Sequence, residues 1–299
     1  VGGSTNAVIH LAAIAGRLGV ELPLKLFDDL SRATPLIGNV RPTGKTYLMD
    51  DLAEAGGIPV VMKELEDLLH RGALTATGKT VGENLREVGR APAWQDVILP
   101  REKPIKAEGG LVILWGSLAP DGAVLKTSAA SPHLLTHTGK AVVFTSEEDM
   151  VRRVDDPALP ATAESVFVLQ NAGPLGGPGF PEAGFLPIPK KLLAQGVRDI
   201  VRVSDARMSG TAGGTTVLHV SPEAAAGGPL ALVREGDPIR LDVPNRRLDL
   251  LVPEEELARR RAAWRPRPPA YDRGYGRLFL ENVLQAPQGC DFGFLQKTR

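Results

Sequence analysis

A single cysteine, Cys290, stands in a chain of 299 residues. That excludes an internal disulfide framework and any zinc or iron–sulfur site built from several thiolates of these residues. Charge of one sign is missing as well, since 35 Lys and Arg balance 35 Asp and Glu and the pI is near 7.1. Without a net field there is no general attraction to nucleic acid or anionic lipid, so a small molecule is the expected partner. Long apolar runs are absent too: the stretch that starts at Ala7 is broken by His10 and Arg17, which fits no membrane span. The opening Val-Gly-Gly-Ser-Thr-Asn has no basic region ahead of an apolar one, so no signal peptide is read there and a cytoplasmic chain is expected. No repeat of fixed period occurs.

What is present is an ordinary globular composition, 43% hydrophobic, punctuated by 33 glycines and 25 prolines. Ser4 and Thr5 are N-cap residues ahead of an apolar run at 6–18 that Gly19 closes, which predicts a buried helix. Further helices are expected at 24–33, at 47–55, and from Pro59 onward, where Val60, Val61, Leu65, Leu68 and Leu69 give a core stripe ended by Gly72. Thr80 and Glu83 have capping-box spacing for one more short helix.

After the proline-bearing stretch 92–104 the apolar pattern becomes that of strands. Runs at 111–115 and 123–126 flank Ala119-Pro120-Asp121-Gly122 and predict a hairpin. Strands are expected at 140–144, 165–169, 199–203 and 217–220, with helices at 147–154 and 190–195. Ile239, Leu241 and Val243 alternate with polar residues, then Pro244-Asn245 turns the chain into 248–252 before a helix at 254–264. A mainly helical part, residues 1–95, thus precedes a β-rich part, residues 100–299, that would form a barrel or sandwich with peripheral helices. The overall class is α/β. Residues 265–275, rich in Pro and Arg, read as an extended strap, and the apolar 278–294 as a segment packed on its own domain or across a homodimer.

Several motifs fail on spacing. Gly44-Lys45-Thr46 ends like a phosphate-binding P-loop, but Asn39 stands where the first glycine belongs; Gly78-Lys79-Thr80 fails likewise at Ala73. Ser209 lacks the flanking glycines of a nucleophile elbow, having Arg207 and Thr211 there. His219, in an expected strand, reads as a satisfied core histidine rather than a base. Two glycine-rich loops remain, 171–184 and 204–214, each after an apolar strand. Such loops are tight connections or close approaches to a ligand. The second carries Asp205, Arg207, Ser209 and Thr211, a set that can hold a carboxylate and move a proton.

At these loops the sequence resembles the family of dihydroxy-acid, phosphogluconate and aldonate dehydratases, and most of all its sugar-acid branch. The resemblance rests on Gly2-Gly3-Ser4-Thr5-Asn6, Ala55-Gly56-Gly57-Ile58-Pro59, Gly173-Pro174 with Gly176-Gly177-Pro178-Gly179, Ser204-Asp205-Ala206-Arg207-Met208-Ser209-Gly210, His219-Val220-Ser221-Pro222-Glu223-Ala224 and Val243-Pro244-Asn245-Arg246. It implies a hydro-lyase that turns a 2,3-dihydroxy acid into a 2-keto acid. It implies an iron–sulfur cluster as Lewis acid, a Mg²⁺ that helps bind substrate, and Ser209 as the base at C2 with Thr211 in support. Asp205, Arg207, Gly210, Ser4, Thr5 and Asn6 are the implied substrate-binding residues.

The resemblance also marks departures. The family's cluster cysteines lie upstream of the string at which this chain begins, and Cys290 matches its C-terminal region, which makes Cys290 structural. The position of the family's metal-binding Glu is Ala172 here, with Asn171 a weaker substitute. The chain is therefore expected to be the C-terminal part of such a dehydratase: residues 1–95 end an α/β cluster-binding domain, and 100–299 form a β-barrel-like domain. Alone it should be inactive, and the whole enzyme a homodimer or homotetramer. A separate subunit completed by an N-terminal partner, and a non-catalytic sugar-acid-binding module, are the readings from other classes that the residues leave open.

Overall fold

The computed structural model describes residues 1–209 and 213–297. These divide into two compact units, Val1–Gly3 with Asp28–Gly110, and Ser4–Phe27 with Leu111–Arg299. Among the described residues no helix is long and apolar enough to cross a membrane.

The first unit takes helices as its regular elements, Met49–Glu54, Gly57–Glu64 and Val81–Asn84, but most of it is turns and irregular chain, so it is less helical than the sequence pattern predicts. Ile37, Val40, Leu52, Val61, Leu65 and Ile98 make its core. The capping box forms as the spacing predicts: Glu83 N donates to Thr80 Oγ1 at 3.2 Å, and Thr80 N donates to Glu83 Oε2 at 2.7 Å. The helix after Pro59 ends earlier than expected, a 3₁₀ turn at Glu66–Leu68 taking over.

The second unit is built on one eight-stranded sheet in the order β1-β2-β6-β5-β4-β3-β7-β8. Its strands are β1 (Leu111–Leu114), β2 (Gly122–Lys126), β3 (Thr136–Phe144), β4 (Val166–Leu169), β5 (Val201–Ser204), β6 (Thr216–Ser221), β7 (Pro238–Asp242) and β8 (Arg247–Leu250). The sheet nearly closes on itself, because Trp115, just past β1, bridges to Arg247 at the start of β8. A barrel-like sheet is therefore the outcome where the sequence left barrel and sandwich open. The stretch β3-β4-β5-β6 is parallel, and every residue of β4 and β5 is buried. That explains the continuous apolar run of β4, since a parallel strand covered on both faces has no solvent side to alternate with; in β5 the buried Arg202 is paired with Asp199 and Ser204 is hydrogen-bonded. One face packs Val166, Val168, Val201, Val203 and Val217 into the barrel core; the other packs Phe144, Phe167, Leu169 and Leu186. Each such side chain contributes about 1.5–3 kcal/mol.

Helix Thr5–Arg17 belongs to this unit: Val8 packs with Ile113 and Val124, and with Leu24 and Phe27. Ser4 is its N-cap in extended backbone but makes no side-chain cap bond. The C-terminal segment packs on this helix within the same unit. Arg17 Nε and Nη2 reach Asp291 Oδ2 and Oδ1 at 2.7 and 2.6 Å, and Lys297 N donates to Gly16 O at 3.1 Å. One helix, Gly274–Asn282, lies where the sequence reading placed none. Gly274 and Gly276 are poor helix formers and hid it, although Tyr275, Leu278 and Phe279 have i, i+3, i+4 spacing.

Candidate functional site

The parallel strands decide where a ligand can bind. Leu169 at the end of β4 and Ser204 at the end of β5 are register partners, so the loops that follow them leave the same end of the sheet. Carboxyl ends of parallel strands are where open α/β sheets place ligands. The Ser204 hydroxyl couples the two strand ends: Oγ donates to Leu169 O at 3.0 Å and accepts from Ala206 N at 3.0 Å.

Asp205 comes next and turns inward. It is 1% exposed, and its carboxylate accepts from the backbone N–H groups of Asn171 (3.2 Å), Ala172 (2.9 Å) and Ala224 (2.8 Å). Burial pushes it up to about 7, with the nearby Glu223 charge adding to the shift and the three N–H groups opposing it. Its oxygens are thus committed to the loops, and it acts by holding backbone.

Arg207 lies half-buried, its Nε donating to Phe180 O at 2.6 Å and its guanidinium 5.5 Å from the Phe180 ring centroid. Its carbonyl accepts from Gly184 N at 2.8 Å, which lays the far half of the first glycine loop against the second loop. Met208 is buried and Ser209 half-buried. Gly210 and Thr211 lie outside the described residues.

Asn6, in the first turn of helix Thr5–Arg17, joins both loops. Its Nδ2 donates to Glu182 Oε1 at 2.6 Å and to Met208 O at 3.3 Å. Its Oδ1 is buried and has no partner among the described residues. An unpaired acceptor out of water costs about 1–3 kcal/mol, and a ligand or an ion at this atom would remove that cost. Thr5 is buried and Ser4 half-buried beside it. Glu182 was not singled out in the sequence, since its partner Asn6 lies 176 residues away.

Ala172 and Asn171 sit differently. Ala172 is buried against Asp205, and Asn171, at φ 60°, spends its Nδ2 on Thr145 O at 3.0 Å. The carboxylate beside the Ser209 loop is that of Glu182. His219 is buried as expected but not satisfied, since neither ring nitrogen has a partner among the described residues. Burial pushes it down to about 3, with the Arg207 charge adding to the shift, so the ring is neutral.

Among the described residues no group of three His, Cys, Asp or Glu is placed to hold a metal ion. Cys290 does not fit a cluster: burial, with the Glu223 charge in second place, pushes its thiol up to about 12, the reverse of a thiolate ligand. Glu182 and Asn6, joined through Asn6 Nδ2, both carry oxygen donors, the ligand type that a hard divalent cation takes.

Comparison with known proteins identifies the family. Residues 96–290 match the model of the dihydroxy-acid/6-phosphogluconate dehydratase C-terminal domain, and residues 1–84 that of the N-terminal domain. The chain is 52% identical over its whole length to L-arabinonate dehydratase of Rhizobium leguminosarum bv. trifolii, of which it covers 52%. It is 49% identical, over 99% of its length, to 6-deoxy-6-sulfo-D-gluconate dehydratase of Pseudomonas putida, covering 51%. With dihydroxy-acid dehydratase of Ignicoccus hospitalis the identity is 46%, over 97% of the chain and 52% of that protein. The chain spans about half the length of the curated relatives it matches.

Proposed function

The chain belongs to the dihydroxy-acid/6-phosphogluconate dehydratase family, and from that premise we propose that it is the C-terminal part of a hydro-lyase that dehydrates a 2,3-dihydroxy acid to a 2-keto acid. The observation that carries the reading is the meeting of Asn6, Glu182 and Met208 at the carboxyl ends of the parallel strands, with Ser209 next in the chain. A sugar acid is the substrate class we favour. Relatives named for aldonate-type acids share 49–52% identity with the chain, and that named for dihydroxy acids 46%.

In this reading Ser209 takes the proton from C2 while the hydroxyl on C3 departs with its bonding electrons, and that proton goes to the departing hydroxyl to make water. The enol so formed becomes the 2-keto acid by gaining a proton at C3 and losing the one on its 2-hydroxyl. A serine hydroxyl is a weak base unless positive charge lowers its pKa, and Arg207, two residues away, supplies one such charge. The same guanidinium, fixed at Nε by Phe180 O, offers its remaining N–H groups to the substrate carboxylate. Buried Met208 and Phe180 keep water from the acidic C–H. Asn6, Thr5 and Ser4 border the substrate hydroxyls, with Gly210 and Thr211 completing the loop.

A Mg²⁺ would be held here by Glu182 and Asn6 Oδ1 and would add positive charge beside the substrate. An iron–sulfur cluster, which the family resemblance implies, is not accommodated by the described residues, and no step is assigned to it. The single cysteine supports a cytoplasmic location, and a homodimer or homotetramer goes with the reading. Ser209→Ala in the complete protein tests it. Turnover of an aldonate should fall about 10²–10⁴-fold with metal content unchanged; normal turnover would sink the assignment.

A further inference from the structure

The glycine-rich loop 171–177 has the composition of an anion cradle, and it is already filled from within the chain. Glu223, 1% exposed just past β6, sends its carboxylate into the loop. Leu175 N donates to both its oxygens at 3.0 Å, and Gly176 N donates to Oε2 at 3.0 Å. Gln285 fixes Glu223 from the other side: its Nε2 donates to Oε1 at 2.7 Å while its Oε1 accepts from Glu223 N at 2.9 Å. The glycines make this approach possible, since a Cβ on Gly173 would stand 2.6 Å from Glu223 Oε2 and one on Gly176 2.5 Å from the Asn171 backbone. Asp205 holds the start of the same loop by Asn171 N and Ala172 N.

We propose that Glu223 is the loop's resident anion: a positioning residue that fixes residues 171–177 in place and, by occupying their N–H groups, excludes phosphate and other external anions from them. Successive N–H groups that converge on one point bind an anion whether it comes from solvent or from a side chain. A tethered carboxylate has the advantage of effective concentration and forfeits no free ligand entropy. The substrate's acid group must then be met elsewhere, on the Arg207 side. Catalysis does not enter the proposal, so it stands or falls apart from the dehydratase reading.

Amide hydrogen exchange on the complete protein decides it. Glu223→Ala should speed exchange at Leu175 and Gly176 about tenfold or more. Formate at tens of millimolar should slow it again by refilling the vacated place. The β5 amides of Val201, Arg202 and Val203 should stay protected, which reports that the variant is folded. Inorganic phosphate should leave both loop amides of the unmodified protein unchanged. Wild-type protection of Leu175 and Gly176 in a folded variant, lost protection that formate does not restore, or protection that phosphate increases in the unmodified protein would each overturn the proposal. Should Glu223→Ala not fold, Glu223→Gln serves. One amide oxygen cannot satisfy the three donors, so faster exchange at one or both loop amides is expected, and wild-type protection at both overturns it.

Discussion

Asn6 Nδ2 lies 2.6 Å from Glu182 Oε1, joining the first turn of a helix near the start of the chain to the far half of a glycine-rich loop. The same nitrogen reaches Met208 O at 3.3 Å, so one amide ties together two loops that leave neighbouring parallel strands.

Asn6→Ala should remove both bonds and cost about 1–2 kcal/mol of stability, read as a lowered thermal midpoint. In the complete enzyme kcat/KM should fall about 10–100-fold, a loss of the same order. Asn6→Asp separates the causes. A carboxylate is favourable in the first turn of a helix, so any greater loss than in the alanine variant must come from repulsion at Glu182. Equal activity in the aspartate variant and the parent would refute the contact's importance.

Two buried groups should oppose each other in acid. Asp205 is raised from 3.8 to about 7, so the folded state holds a proton that the unfolded chain releases above pH 4. Its effect is that stability falls as pH rises from about 4 to 7. His219 is lowered from 6.5 to about 3, so the unfolded chain binds the extra proton and stability rises over about pH 3 to 6.5. Each slope approaches about 1.4 kcal/mol per pH unit, and between pH 4 and 6.5 they offset one another. His219→Phe should unmask a fall in stability with pH, and Asp205→Asn a rise. Urea unfolding at pH 4.5, 5.5 and 6.5 checks both signs; parallel curves for parent and variants would reject the pairing.

The barrel was more legible than the site. The continuous apolar run 166–169 announces a buried parallel strand because a strand covered on both faces needs no polar side. The hairpin at Ala119–Gly122 and the capping box at Thr80 are local chemistry, readable from a few residues. Glu182 and Glu223 were not legible in this way. Their partners lie 176 and about 48 residues distant, and no periodicity connects a carboxylate to N–H groups that only folding brings near. Asp205 illustrates the same limit. Its neighbours in sequence suggest a ligand contact, while its burial gives it to the backbone of a different loop.

Asp199 and Arg202 form a buried pair beneath the return of the Ser209 loop, 3.0 Å apart. Burial pushes Asp199 upward, but hydrogen bonds from Thr215 and Ser131 and the Arg202 charge outweigh it and keep the carboxylate ionised. Asp199→Ala leaves Arg202, 5% exposed, without its counter-charge. A loss of about 3–5 kcal/mol is expected, with Asp199→Asn milder because Thr215 and Ser131 keep a partner. Thermal unfolding checks the order of the three proteins.

Cys290 should behave as an inert thiol. Pushed up to about 12 and packed within the C-terminal segment, it has almost no thiolate at pH 8. Alkylation by iodoacetamide in the native protein should run orders of magnitude slower than after unfolding. Cys290→Ala in the complete protein should leave metal content and turnover as in the parent, since a half-buried thiol held in its protonated form lacks the thiolate charge that a cluster ligand needs. Loss of iron in that variant would assign to Cys290 a ligand role that its environment argues against.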